Sequence, residues 1–129
     1  MKDKRLNILI IKSVKDVFEF TINPANTPKW IDDIVIEETN EFPPKLGTIY
    51  RNKNKLGNWN EYEITTYVKD KMFELKRKNG FYYVRYTFKP TKEGYCNFEY
   101  YEWVTKGQLD DTFSDKVLQK LKKIVENNE

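Results

Sequence analysis

Between Gly47 and Gly107 the chain repeats one pattern, a β-rich run followed by a turn signal, and this limits the fold more than any other feature. The run GTIYRNKNK ends near Leu56-Gly57-Asn58, and WNEYEITTYV ends at Lys69-Asp70. KMFELKRK ends at Asn79-Gly80, FYYVRYTFKP between Thr91 and Gly94, and YCNFEYYEWVT at Lys106-Gly107. Asn-Gly between such runs is the strongest short-range hairpin signal, and hairpins in series make an antiparallel meander. In FYYVRYTF, Tyr82, Val84, Tyr86 and Phe88 fall on one face, with Phe81, Tyr83, Arg85 and Thr87 opposite. Both faces carry aromatics, so the pattern does not say which is wet.

The flanks complete the plan. RLNILIIK, from Arg5 to Lys12, predicts a strand with Leu6, Ile8 and Ile10 on one face. SVKD then begins a helix capped by Ser13, with Val14, Val17, Phe18 and Ile22 as its apolar stripe. That helix stops at Asn23, because Pro24 removes a donor and pushes its predecessor out of the α region. The break INPANTPKW leads to a second helical turn around Thr27 to Ile31, and a strand follows from about Val35 to Thr39, closed by Pro43 and Pro44. Trp30, at the end of the break, is read as a core anchor or as the lip of a cavity. The chain ends in an amphipathic helix. Asp110, Asp111, Thr112 and Asp115 make an acidic, cap-like start. Phe113, Val117, Leu118, Leu121, Ile124 and Val125 recur at helical spacing, and Lys116, Lys120, Lys122 and Lys123 take the water side.

The order β-αα-β6-α predicts an α+β fold in which about seven strands form a curved antiparallel sheet around the long C-terminal helix. At 129 residues the expectation is one domain over 1–129. No run approaches the ~20 apolar residues of a membrane span. The basic N-terminus reads as a strand and not as a signal peptide, and Cys96 is the sole cysteine. A cytoplasmic protein with no membrane insertion is the expectation.

Several stretches resemble the SRPBCC superfamily, which includes START-related lipid-binding domains, the birch-pollen allergen family and polyketide cyclase/dehydrase-like proteins. VKDVFEFTINPANTPKW is similar to that family's opening helix, proline break and tryptophan. EFPPKLGTIYR is similar to its turn, with Gly47 opening the next strand. WNEYEITTYVKDKMFELKRKNG resembles its strand-turn-strand, and VLQKLKKIVEN its terminal helix. The resemblance spans nearly the whole chain. It implies a helix-grip fold with a cavity between the sheet and the last helix, able to hold an apolar or amphipathic small molecule.

The chemistry available is narrow. With no histidine, Ser-His-Asp and Cys-His arrangements are excluded, and with one cysteine a zinc site is not expected. No glycine-rich phosphate loop occurs, so neither metal nor cofactor is expected. Glu61 and Glu63 share a strand face and read as solvated. Glu102 shares a face with Phe98 and Tyr100, opposite to Glu99, and is the one weak catalytic candidate. If buried it needs Arg77, Arg85 or a tyrosine hydroxyl as partner. The basic clusters RNKNK and KRK alternate with acids, and a net charge of +3 is too small to imply nucleic acid.

Aromatic residues, 16% of the chain, carry the better reading. Tyr62, Phe73, Tyr82, Tyr86, Phe88, Phe98 and Tyr100 fall on inner positions of the meander, and Phe113, Val117 and Leu121 of the last helix would face them. With Trp30 these are the candidate ligand-binding residues. Ordinary core packing is the competing role for each. The expected function is binding of a small hydrophobic or aromatic molecule without catalysis. The alternatives are a polyketide cyclase/dehydrase-type enzyme and a protein-interaction module of the chaperone-activator type.

Overall fold

The computed structural model describes residues 2–109 and 113–127. The elements are β1 (Asp3–Ile10), α1 (Val14–Ile22), α2 (Thr27–Trp30), β2 (Ile34–Thr39), β3 (Ile49–Asn54), β4 (Trp59–Val68), β5 (Met72–Arg77), β6 (Tyr82–Pro90), β7 (Cys96–Val104) and α3 (Asp115–Glu126). All seven strands join one antiparallel sheet in the order β1-β7-β6-β5-β4-β3-β2. It curls into a half-barrel, the α+β arrangement that the sequence predicts. Irregular registers between Ile34 and Ile36 and between Ile64 and Thr66 help it curl, since a bulge bends its strand and increases local twist.

The strand order fixes the helices. β1 and β2 lie at opposite edges, so the chain joining them must cross the concave face. α1 makes the first half of that crossing against β6 and β7, and α2 ends it against β2. The Ser13 hydroxyl caps α1 by accepting the Asp16 N–H at 3.1 Å. The break at Asn23-Pro24 is the corner between the two helices. Its side chains hold it, with Asn23 accepting from the Ala25 N–H and Asn26 donating to the Phe20 carbonyl. Tyr50 secures the corner from below, its hydroxyl donating to the Ile22 carbonyl at 2.6 Å.

α3 lies against β1, α1 and α2 and buries Leu118, Leu121 and Val125. Lys122, expected on the water side, instead donates to the Leu9 carbonyl, and Glu126 accepts the Ile11 N–H, so the helix clips onto the end of β1. A Lys120–Asp32 ion pair links it to the residues after α2. Phe113 precedes the helix instead of forming its first turn, and the predicted acidic start at 110–112 lies outside the described residues. β1 ends at Ile10, opposite Cys96 where its antiparallel partner begins, not at Lys12.

Which face is wet is now visible. Outside, Tyr83 stacks on Trp103 at 5.0 Å and Tyr101 on Trp103 at 4.9 Å, with Arg5 over Tyr101. Glu74 and Glu99 lie on that side, paired with Arg85 and Arg5. Phe81 falls in the β5–β6 connection, where Asn79 takes a left-handed conformation, and is 52% exposed.

Candidate functional site

The concave face is solid at one end and open at the other. At the filled end, Phe18 of α1 sits edge-on to Tyr67, Phe73 and Phe88, with centroids 5.9, 5.8 and 5.2 Å away. Phe98 closes on Phe88 at 5.3 Å. Toward the other end a cleft of about 900 Å³ remains, bordered by Thr21 of α1 and Thr27 of α2. That exceeds the ~300 Å³ at which ligand pockets begin.

Strands β3 to β7 form its floor through Tyr50, Tyr62, Leu75, Tyr86 and Tyr100. Thr27, Ile31 and Glu37 stand on one side, with Leu109 and Phe113 on the other. Phe113 is held by face-to-face stacking on Tyr100, at 3.7 Å and 2° between planes. Its carbonyl accepts from Lys4 at 2.7 Å. Arg77, Lys106, Phe81 and Trp59 surround the exposed mouth, where Arg51 lies over the Trp59 ring at 4.1 Å. Tyrosine hydroxyls, Asn52, Asn60 and the acids share the lining with aromatic and aliphatic carbon, so the space is amphipathic.

Three acids line it, Asp33 near solvent and two deeper. Glu102 on β7 is 3% exposed. Its Oε1 accepts from the Tyr82 hydroxyl at 2.7 Å and from the Tyr100 hydroxyl at 2.9 Å, and the two hydroxyls are 3.1 Å apart. Its Oε2 is buried and has no hydrogen-bond partner among the described residues. β6 and β7 produce the cluster by register, since Tyr82 lies opposite Val104 and Tyr100 is two residues from Glu102 on the same face. Burial, then the Glu102 charge, pushes the Tyr82 hydroxyl far above the tyrosine range. Burial and the neighbouring Tyr82 do the same to Tyr100. Both hydroxyls therefore stay protonated and serve as donors. Of the partners the sequence suggests for a buried Glu102, the tyrosines fill the role; Arg85 is on the outer face with Glu74, and Arg77 bonds Asn60.

Glu37 is the second acid. Its Oε1 accepts from the Thr27 hydroxyl at 2.6 Å and its Oε2 from Asn52 at 3.0 Å. The residue is partly accessible because it faces open space, yet burial dominates and raises its pKa above the usual 4.5 against those two bonds. A raised carboxyl pKa means that the folded state prefers the protonated form. Its favourable contribution is complete below about pH 4.5 and is lost as pH rises through the folded value. Glu37→Gln is therefore expected to raise the thermal midpoint near pH 7 and to leave it almost unchanged at about pH 4, read from paired melting curves. An equal change at both values would mean that burial of the charge is not the cause.

Of the candidate residues, Tyr62, Phe73, Tyr82, Tyr86, Tyr100, Phe113 and Glu102 line the cleft together. Trp30, Phe88, Phe98, Val117 and Leu121 do not. Trp30 is 1% exposed and sits behind the wall, edge-on to Tyr86 and Phe113 with both centroids at 6.0 Å. Phe88 and Phe98 belong to the filled end, and α3 lies against β1, so that Phe113, ahead of the helix, borders the cleft in place of Val117 and Leu121. Glu61 and Glu63 are exposed. Sequence reading passed over Glu37, Tyr50 and Asn52. A signal existed for the last two, because Tyr50 and Asn52 alternate on β3 and Tyr50 pairs with Tyr62 on β4. Glu37 had none, standing next to Glu38 in a short strand with no clear alternation. Among the described residues no group of three or more His, Cys, Asp or Glu is placed to hold a metal ion, and no helix is long and apolar enough to cross a membrane.

No family model and no curated protein sequence matches the chain. Solved structures do. XoxI from Bacillus cereus is 14% identical with a TM-score of 0.77, covering 98% of this chain and 97% of its own. The Aha1 dimer from Colwellia psychrerythraea is 11% identical with a TM-score of 0.73, covering 100% and 99%. A norcoclaurine synthase point mutant from Thalictrum flavum, in complex with a transition-state analogue, is 13% identical with a TM-score of 0.70, covering 96% and 93%. The fold is the helix grip. It is the START and birch-pollen-allergen type of architecture, and identities this low speak to architecture alone.

Proposed function

We propose that this protein is a single-domain member of the SRPBCC superfamily that binds and carries a small hydrophobic or aromatic molecule in the cleft, without transforming it. The observation that supports this most is the amphipathic cleft of about 900 Å³, floored by tyrosines whose rings supply apolar surface and whose hydroxyls can orient a guest. The synthase of the same fold holds a transition-state analogue, which is in keeping with a small-molecule role. Native mass spectrometry of protein purified from its own host tests the reading, paired with thermal shifts across a lipid and aromatic library. A co-purifying small molecule, or a stabilising hit that saturates, is the expected result. A clean apo mass with no shift from any compound would count decisively against carriage.

A second reading has its own support. The Tyr82–Tyr100–Glu102 cluster places a buried acceptor beside two protonated hydroxyls, a set that a polyketide cyclase/dehydrase-type enzyme could use for proton transfer. Turnover of an aromatic or polyketide-like substrate, abolished by Glu102→Gln, would replace carriage with catalysis.

A further inference from the structure

The buried acid in the cleft is incompletely satisfied, and the gap has a chemical sense. Glu102 Oε1 already takes two hydroxyl donors, whereas Oε2 is buried with no donor from the described residues. An ionised carboxylate offers about four acceptor sites, and a buried acceptor left unpaired is costly. Glu102 lines the cleft, so a guest there can supply the donor.

The surroundings narrow the donor. Glu37 adds a second carboxylate to the interior, and Asp33 a third acid nearer solvent. The two cations of the lining, Arg77 and Lys106, are exposed at the mouth, and Arg77 already donates to Asn60 at 2.6 Å. Lys4, the cross-strand partner of Glu102, gives its ammonium to the Phe113 carbonyl and is not part of the lining, so the cations of the lining itself stand at the mouth and its acids lie deeper. Tyr86 lies within the electrostatic reach of both Glu37 and Glu102, so one aromatic surface spans the space between the acids. Aromatic faces beside a carboxylate favour a cation and disfavour an anion.

We infer that the ligand is an amine: a protonated primary or secondary ammonium on an apolar or aromatic body, its N–H donating to Glu102 Oε2 and its body against Tyr62, Tyr86 and Phe113. This rests on the reading of the cleft as a binding site and adds the chemical class of its guest.

Three fluorescent probes with one aromatic body separate the two levels: pyrenemethylamine, pyrenemethanol and pyrenecarboxylate, titrated into the full chain and read by anisotropy. The amine is expected to bind about tenfold or more tighter than the alcohol, with the carboxylate weakest, since amine and alcohol can both donate to Oε2 but only the ammonium brings a charge to the bond. The advantage should survive added salt, because the pair is buried. In Glu102→Gln, checked for folding by circular dichroism, the amine should lose its advantage and bind no more tightly than the alcohol. Glu102→Asp, which draws the charge back by one methylene, should also lose the advantage and serves if the glutamine variant does not fold. Equal binding of amine and alcohol, preference for the carboxylate, or an advantage that persists without Glu102 would overturn the inference and leave the cleft a binding site. Binding of no pyrene probe at all would overturn both.

Discussion

Trp30→Ala is expected to lose about 3–5 kcal/mol of folding stability, the range for removing a buried large aromatic side chain. The indole is among the largest fully buried side chains, and it supports Tyr86 and Phe113 from behind. Its loss would leave a void between α2, Tyr86 of β6 and Phe113. Neighbours anchored on a continuous sheet cannot collapse into that void. Trp30→Phe should cost clearly less than the alanine change. The Trp30 Nε1–H is buried without an acceptor among the described residues, and phenylalanine removes that penalty along with part of the ring. Urea denaturation of the three proteins checks this. If Trp30→Ala retained wild-type stability while changing only the rate at which a probe enters, the residue would be a gate and not an anchor.

The second large effect concerns the hydroxyls on Glu102. Removing both, in the double variant Tyr82→Phe/Tyr100→Phe, is expected to cost about 3 kcal/mol or more, because it strips a buried carboxylate of its donors. Either single change should cost less than half of that, since the remaining hydroxyl still serves Oε1. The effects are thus expected to be non-additive, with a coupling of roughly 1 kcal/mol in a double-mutant cycle. Glu102→Gln should cost only about 1 kcal/mol, because it keeps an acceptor oxygen for both tyrosines. Chemical denaturation of the four proteins in the cycle, with Glu102→Gln beside them, measures all these quantities. Small additive losses would mean that the hydroxyls do not hold a charge.

Much of this architecture was legible because it follows from local rules. The turn signals marked the hairpins, the helical stripe marked α3, and Pro24 marked the corner between α1 and α2. Strand alternation also placed Tyr82, Tyr86 and Phe88 correctly on one face. What alternation cannot say is where along a strand the concave face is filled. Phe88 shares its face with Tyr82, yet it meets Phe18 of α1 and belongs to the core. Tyr82, six residues earlier, borders open space. The division between core and cleft is set by the crossing of the helices, a tertiary fact with no periodic signature. The same holds for α3. Its apolar stripe was plain, but its seat against β1 removed Val117 and Leu121 from the cleft and left Phe113 as the contributor. Glu37 was invisible for a further reason. Its surroundings come from Thr27 on α2 and Asn52 on β3, two elements brought together only by the sheet's far edge.

That the cleft receives a small aromatic guest is tested most directly by a nitrogen–proton chemical-shift titration with neutral pyrenemethanol, which needs no assumption about charge. Saturable shifts should concentrate on the cleft-lining stretches of β4, β5 and β6, around Tyr62, Leu75 and Tyr86, and at Phe113. The outer positions Tyr83, Tyr101 and Trp103 should stay still. Shifts confined to that outer face, or none at concentrations that saturate comparable pockets, would contradict the assignment of the cleft as a binding site.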